Sequence, residues 1–285
     1  MGTCMKAFIG THIVVLLAML LPGDVGAARQ VKGAEPSGSL VVAGNGPELN
    51  LIRDLGRAYE KAYRFAYVDI QWHEHLKPLE LVREGEADLA VTGKEEPDLK
   101  AWEIGWDGIA VMVDLSNDTT DLAMDDIARI YSGKVKYWSE LGGPDTKIVL
   151  IDRPPNLNIR HAFVKRLGID GQIPKSAEVI ERDVKATNKI VGTLRPRSAV
   201  TYMSLGPALK AVKTGVSVRL LFIDKVEPQH PTLRDGRYTL RRPILLLSRK
   251  EQYNPNVEAF YKFALSAKGQ HIIAQLAYAP INTSH

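Results

Sequence analysis

The sequence predicts an α/β chain of two lobes, each a mixed, mostly parallel sheet flanked by helices, with a cleft between the lobes. Three observations carry this. Short β-rich runs alternate with runs of helical period along most of the chain. Strands separated by helices require crossover connections, and these favour parallel pairing. Two such blocks, each of roughly 100 residues, are followed by a β-rich and then helical tail that must pack against one of them. Two lobes with a cleft is the economical arrangement, and clefts between lobes are where ligands bind.

The elements read in order as follows. Leu40-Val41-Val42-Ala43 is a strand, and Gly44-Asn45-Gly46-Pro47 turns it into a helix over 48–63 with Leu49, Ile52, Leu55, Ala58 and Tyr59 on one face. Asn is a good cap there, and Pro47 suits the first helical position. A strand at Tyr67–Trp72, a helix from Leu76 to Glu84 and a strand at Ala87–Thr92 complete the first block. The apolar run Gly108–Val113 leads into the second. There a helix spans Met124–Tyr131 with Gly133 as its stop, Lys147–Ile151 is a strand, Asn158–Leu167 a helix and Ala199–Met203 a strand. Val216–Ile223 and Pro243–Leu247 are β-rich, and helices at Val257–Leu265 and Gln270–Leu276 close the chain.

The N-terminus reads as an address. Lys6 precedes an apolar stretch, Phe8–Leu21, too short to span a bilayer, and Pro22-Gly23 then Val25-Gly26-Ala27 follow. Cleavage is expected after Ala27, making 1–27 a signal peptide and 28–38 a flexible leader; a retained anchor is the alternative. Cys4 is the single cysteine, which excludes a disulfide framework, a Cys-rich zinc module and an iron–sulfur site. The expected location is the periplasm. Hydrophobic residues at 45% and charged residues at 25% are ordinary for a globular chain, and the net charge of +4 is scattered rather than gathered into a nucleic-acid track.

Several stretches resemble one family in the same order along the chain. Leu40 to Gly46 is similar to its first strand and turn, Glu84 to Ala90 to its Glu-Gly-Glu-Ala-Asp strand, and Trp106 to Val111 to its Asp-Gly-Ile-Ala-Val crossover. The most specific stretch is Met124 to Lys134 with Tyr137 to Gly143; Leu265 to Ile273 and Ala277 to Ile281 match near the end. The family is the phosphate-binding-protein-like solute receptors of ABC importers, within the type II periplasmic binding proteins. The resemblance implies a first lobe built from 39–112 and 211–285, a second from 113–210, and a two-segment hinge. It implies capture of a small oxyanion, phosphate first, for an ABC transporter permease, by a monomer that is not an enzyme and uses no cofactor, metal or nucleic acid.

Site residues follow from the same resemblance and from the chemistry of anions. Backbone N–H groups at helix starts hold oxyanions because they lack intrahelical partners and sit at the positive end of the dipole. The resemblance places two such starts across the cleft. The first is Asn45-Gly46, where Pro47 lacks an N–H and Glu48 sits at the same positive end; the motif is equally readable as a plain cap. The second is Arg153 with Asn156-Leu157-Asn158-Ile159, which replace the family's Gly-Ser-Gly-Thr. Arg153 offers a planar fork to an oxyanion, and Asn156 and Asn158 offer amides in place of the lost hydroxyls. Thr92, Gly93 and Lys94 form a third element, and Thr187-Asn188 is a polar pair beneath the cleft or a turn cap. An envelope interaction or sensory module with a diverged pocket is the alternative function. Trp72-His73-Glu74-His75 replaces a Gly/Ser-rich turn; it is readable as a solvated loop or as part of a metal-dependent hydrolase.

Overall fold

The computed structural model describes residues 1–2, 35–193, 197–251 and 253–281. The expected signal peptide, Cys4 and most of the leader lie outside the described residues. No helix of the described residues is long and apolar enough to cross a membrane.

The described residues from 35 onward form one compact unit with two large hydrophobic cores and a third, smaller one. β1 (Ser37–Gly44), α1 (Leu49–Ala62), β2 (Phe65–Trp72), α2 (Pro78–Glu84) and β3 (Leu89–Thr92) build the start of the first lobe. β1 pairs parallel with both β2 and β3, as the crossover pattern requires. Leu51, Ile52, Leu55 and Tyr59 form the buried face of α1 and pack with Leu40, Val42 and Val68 of the sheet. Such a face, spaced at i, i+1, i+4 and i+8, stabilises the helix chiefly by burial.

β4 (Leu99–Asp114) is far longer than the apolar run in the sequence suggests, because it serves both lobes. Its first half pairs with β11 (Arg241–Arg249) and its second half with β8 (Ala199–Ser204) and β9 (Val218–Leu220), all antiparallel. The second lobe adds β5 (Asp121–Leu122), α3 (Met124–Tyr131), β6 (Val149–Asp152), α4 (Asn158–Leu167), β7 (Glu178–Val179), α5 (Asp183–Gly192) and α6 (Leu205–Lys213). β6 pairs parallel with β7 and β8. The chain continues through β10 (Phe222–Ile223), α7 (His230–Arg234) and β11 to α8 (Pro255–Leu265), α9 (Ala267–Gln275) and β12 (Ala279–Pro280). Strand order is β2-β1-β3-β11-β4-β8-β6-β7, with β9 and β12 on β4.

After Leu240 the chain adds Ile244 and Leu246 to the first core. Val218, Leu221, Ile223, Leu233, Tyr238 and Leu240 all belong to the second core. The cause is β9, whose pairing with Met112–Asp114 holds this stretch against the second half of β4.

Candidate functional site

A cavity of about 180 Å³ lies between the cores. The loop before α1 lines one side with Asn45, Gly46 and Pro47, and Glu74 follows from the loop after β2. Arg153, the α4 start (Leu157, Asn158, Ile159) and the α5 start (Glu181, Arg182, Asp183) line the other. Three helix starts therefore lie at or beside one small space, where the sequence shows two. The third, α5, is announced only by Asp183 in its first turn, an acidic residue at a positive helix end.

The α1 start differs from the expected cap. Glu48, not Asn45, is the N-cap, and no side chain caps the helix. Asn45 instead donates its amide to the Leu76 carbonyl at 3.0 Å, leaving its Oδ1 buried and unpartnered. The Glu48 carboxylate turns inward to Arg242, and its other oxygen lies where a Cβ on Gly46 would stand. The glycine thus lets the protein's own carboxylate approach.

Arg153 is 1% exposed. Its Nε donates to the Tyr202 carbonyl at 3.0 Å, and Nη1 to the carbonyls of Ile180 and Glu181 at 3.3 and 3.0 Å. Nη2 donates to Asp183 at 2.7 Å. A guanidinium has five N–H donors, so one remains on Nη2 for a ligand. The stack of Phe163 on Tyr202, centroids 3.7 Å apart, and the bond from the Tyr202 hydroxyl to Asp152 at 2.7 Å fix the strand beneath. Burial, then the Asp152 charge, holds that hydroxyl's pKa well above its ordinary value.

The α4 start crosses to the first lobe through side chains. Thr92 donates to Asn158 Oδ1 at 3.1 Å, Asn158 Nδ2 to the Val91 carbonyl at 3.4 Å, and Asn156 Nδ2 to the Glu74 carbonyl at 3.1 Å. Asn158 and Ile159 open the helix, where N–H groups have no intrahelical acceptor.

Of the residues expected from sequence, Asn45, Gly46, Arg153 and Asn158 line this cavity, and Thr92 is bonded to one of them. Asn156 lines a neighbouring hollow with Thr92 and His75. Gly93 and Lys94 face a separate basic cavity with His161, Lys165, Arg166 and Arg241. Burial, then the Lys94 charge, lowers the His161 pKa there. Asn188 is exposed in a groove with Glu178, Lys185 and Lys189, and Thr187 donates within its own helix to the Asp183 carbonyl at 2.9 Å. Behind Gly46, Arg242 binds Asp107 through Nε at 3.1 Å and Nη2 at 2.8 Å. Burial, opposed by Arg242 and helped by Glu48, pushes the Asp107 carboxyl up to about 6.

Two lobes joined by shared strands, with helix starts and a buried arginine around a small cavity between them, define a bilobal receptor fold. A model described as "PBP superfamily domain" matches residues 30–268. The phosphate-binding protein PstS of Bacillus subtilis (strain 168) is 30% identical over 232 residues, covering 76% of this chain and 74% of that one. A Clostridium perfringens protein crystallised with bound phosphate superposes with a TM-score of 0.74 at 23% identity, covering 86% and 100% of the two chains. An ABC-type phosphate transport receptor from Vibrio cholerae gives 0.72 at 22%, covering 84% and 99%. The chain belongs to the periplasmic-binding-protein superfamily, among its phosphate-binding-protein-like solute receptors.

Proposed function

We propose that this protein is an exported receptor that closes its two lobes around a small oxyanion, phosphate first, and presents the closed form to the permease of an ABC importer. The observation that carries this is the convergence of α4, α5, the pre-α1 loop and Arg153 on one cavity of about 180 Å³. Ligand binding shifts the population toward the closed lobes, with β4 and β11 as the hinge strands. The protein acts as a monomer in the periplasm after cleavage behind Ala27. It binds rather than catalyses.

Calorimetric titration with phosphate, sulfate, molybdate and tungstate tests the reading. Phosphate is expected to bind with a one-to-one stoichiometry; no heat and no thermal shift with any of the four rejects it.

A specific observation favours a second reading, an envelope interaction module with a diverged pocket. Glu48 occupies the α1 start, Asp183 takes one of the two Nη2 N–H groups of Arg153, and Asn158 spans the cleft itself. Recovery of an envelope protein by the purified chain, with all four anions silent, selects that reading instead.

A further inference from the structure

The loop Trp72-His73-Glu74-His75 leaves β2 and runs past the cavity toward the second lobe. We propose that Glu74, His75 and Glu181 form a divalent-metal site of the zinc class that ties the two lobes together beside the cavity. One ligand atom from each of the three lies within 4.8 Å of the other two. Zinc bonds of about 2.0–2.2 Å draw tetrahedral ligands to about 3.5 Å of one another, so small side-chain rotations gather this set. Imidazole with two carboxylates suits zinc, whereas magnesium prefers oxygen ligands alone. Glu74 and His75 come from the first lobe and Glu181 from the second, so only apposed lobes assemble the site.

Two further observations support it. The loop is held in place: His73 Nδ1 accepts the His75 backbone N–H at 3.2 Å, and Asn156 holds the Glu74 carbonyl. The charge is also unbalanced. Among the described residues, Glu74's ionic neighbour is His75 at 3.9 Å, and neither Glu74 nor Glu181 is ion-paired with a lysine or arginine. These two carboxylates and Asp183 line the cavity against only Arg153 and Arg182. An anion there faces three like charges, and a divalent cation offsets two of them. That charge argument rests on the oxyanion-receptor reading; the geometry does not.

The test titrates untagged, chelator-stripped protein with Zn²⁺, with Co²⁺ as a visible reporter and Mg²⁺ as the hard-cation comparison. One Zn²⁺ per chain is expected, with Mg²⁺ far weaker. Glu181→Gln and His75→Ala should each weaken Zn²⁺ by about tenfold or more, while His271→Ala, on an exposed face of α9, should not. Absence of Zn²⁺ binding up to about 1 mM, or binding untouched by both Glu181→Gln and His75→Ala, overturns the site. Zn²⁺ bound with every oxyanion refused would overturn the receptor reading and leave the metal site standing; phosphate bound with Zn²⁺ refused would do the reverse.

Discussion

Arg153 is the buried cation that lines the cavity. A buried guanidinium whose charge is shared with one carboxylate and three carbonyls is well fixed, yet it has a single N–H left to give. Two substitutions should therefore act in opposite directions. Arg153→Lys keeps a charge but loses the fork, and should weaken phosphate by about tenfold or more. Asp183→Asn removes a competing negative charge and loosens Nη2, and should strengthen phosphate by a few-fold, roughly. Both are read by calorimetry against the unmodified chain. An unchanged affinity in both variants would take Arg153 out of the site. The same bonds give Arg153→Ala a structural cost: three carbonyls and a carboxylate lose their donor, for about 2–3 kcal/mol in chemical denaturation.

At the scale of elements, the α4 start both lines the cavity and closes it. Asn158→Ala deletes the bonds to Thr92 and to the Val91 carbonyl, each worth about 0.5–1.5 kcal/mol. The ligand-free protein should then populate the open form more. Small-angle scattering should show a larger radius of gyration without phosphate, converging on the parent value with it; identical ligand-free profiles would count against Asn158 as a latch. How much of this was legible in the sequence follows from how local each signal is. α3 and α4 have the bounds their residues suggest, because Gly133 and Gly168 end them with left-handed backbone at φ 72° and 65°. The cap of α1 is Glu48 rather than Asn45, three residues on, and its carboxylate answers to Arg242, 194 positions away. α5 has little signal in the sequence: its buried face is only Ala186, Thr187 and Ile190, too weak an apolar period to stand out. Arg153 is legible as a residue, but its neutralising partner lies 30 positions on and belongs to that helix.

The whole molecule turns on β4 and β11, and the charged cluster sits where they pair. Arg242 of β11 faces Asp107 of β4 in register, Ser204 of β8 donates to Asp107 at 2.7 Å, and Glu48 brings in the start of α1. One cation faces two buried carboxylates, and burial, opposed by Arg242 and helped by Glu48, pushes the Asp107 carboxyl up to about 6. Removing the cation is the severe change. Arg242→Met strands both carboxylates and should cost about 3–5 kcal/mol. Asp107→Asn leaves a balanced pair that still accepts from Arg242 and Ser204. The sign of its pH effect follows from linkage. A carboxyl raised in the folded state from 3.8 favours folding fully below that value, and this contribution is lost as pH rises through about 6. The parent chain should therefore lose stability relative to Asp107→Asn between those two pH values, by on the order of 3 kcal/mol at full burial. Exposed carboxylates such as Asp98 and Glu140, whose pKa values are lowered by hydrogen bonds from Arg83 and from backbone N–H groups, pull the absolute profile the other way. The difference between the two chains cancels them. Parallel urea-unfolding profiles across that pH window would show that Asp107 is charged throughout and that the cluster does not carry the proton proposed for it.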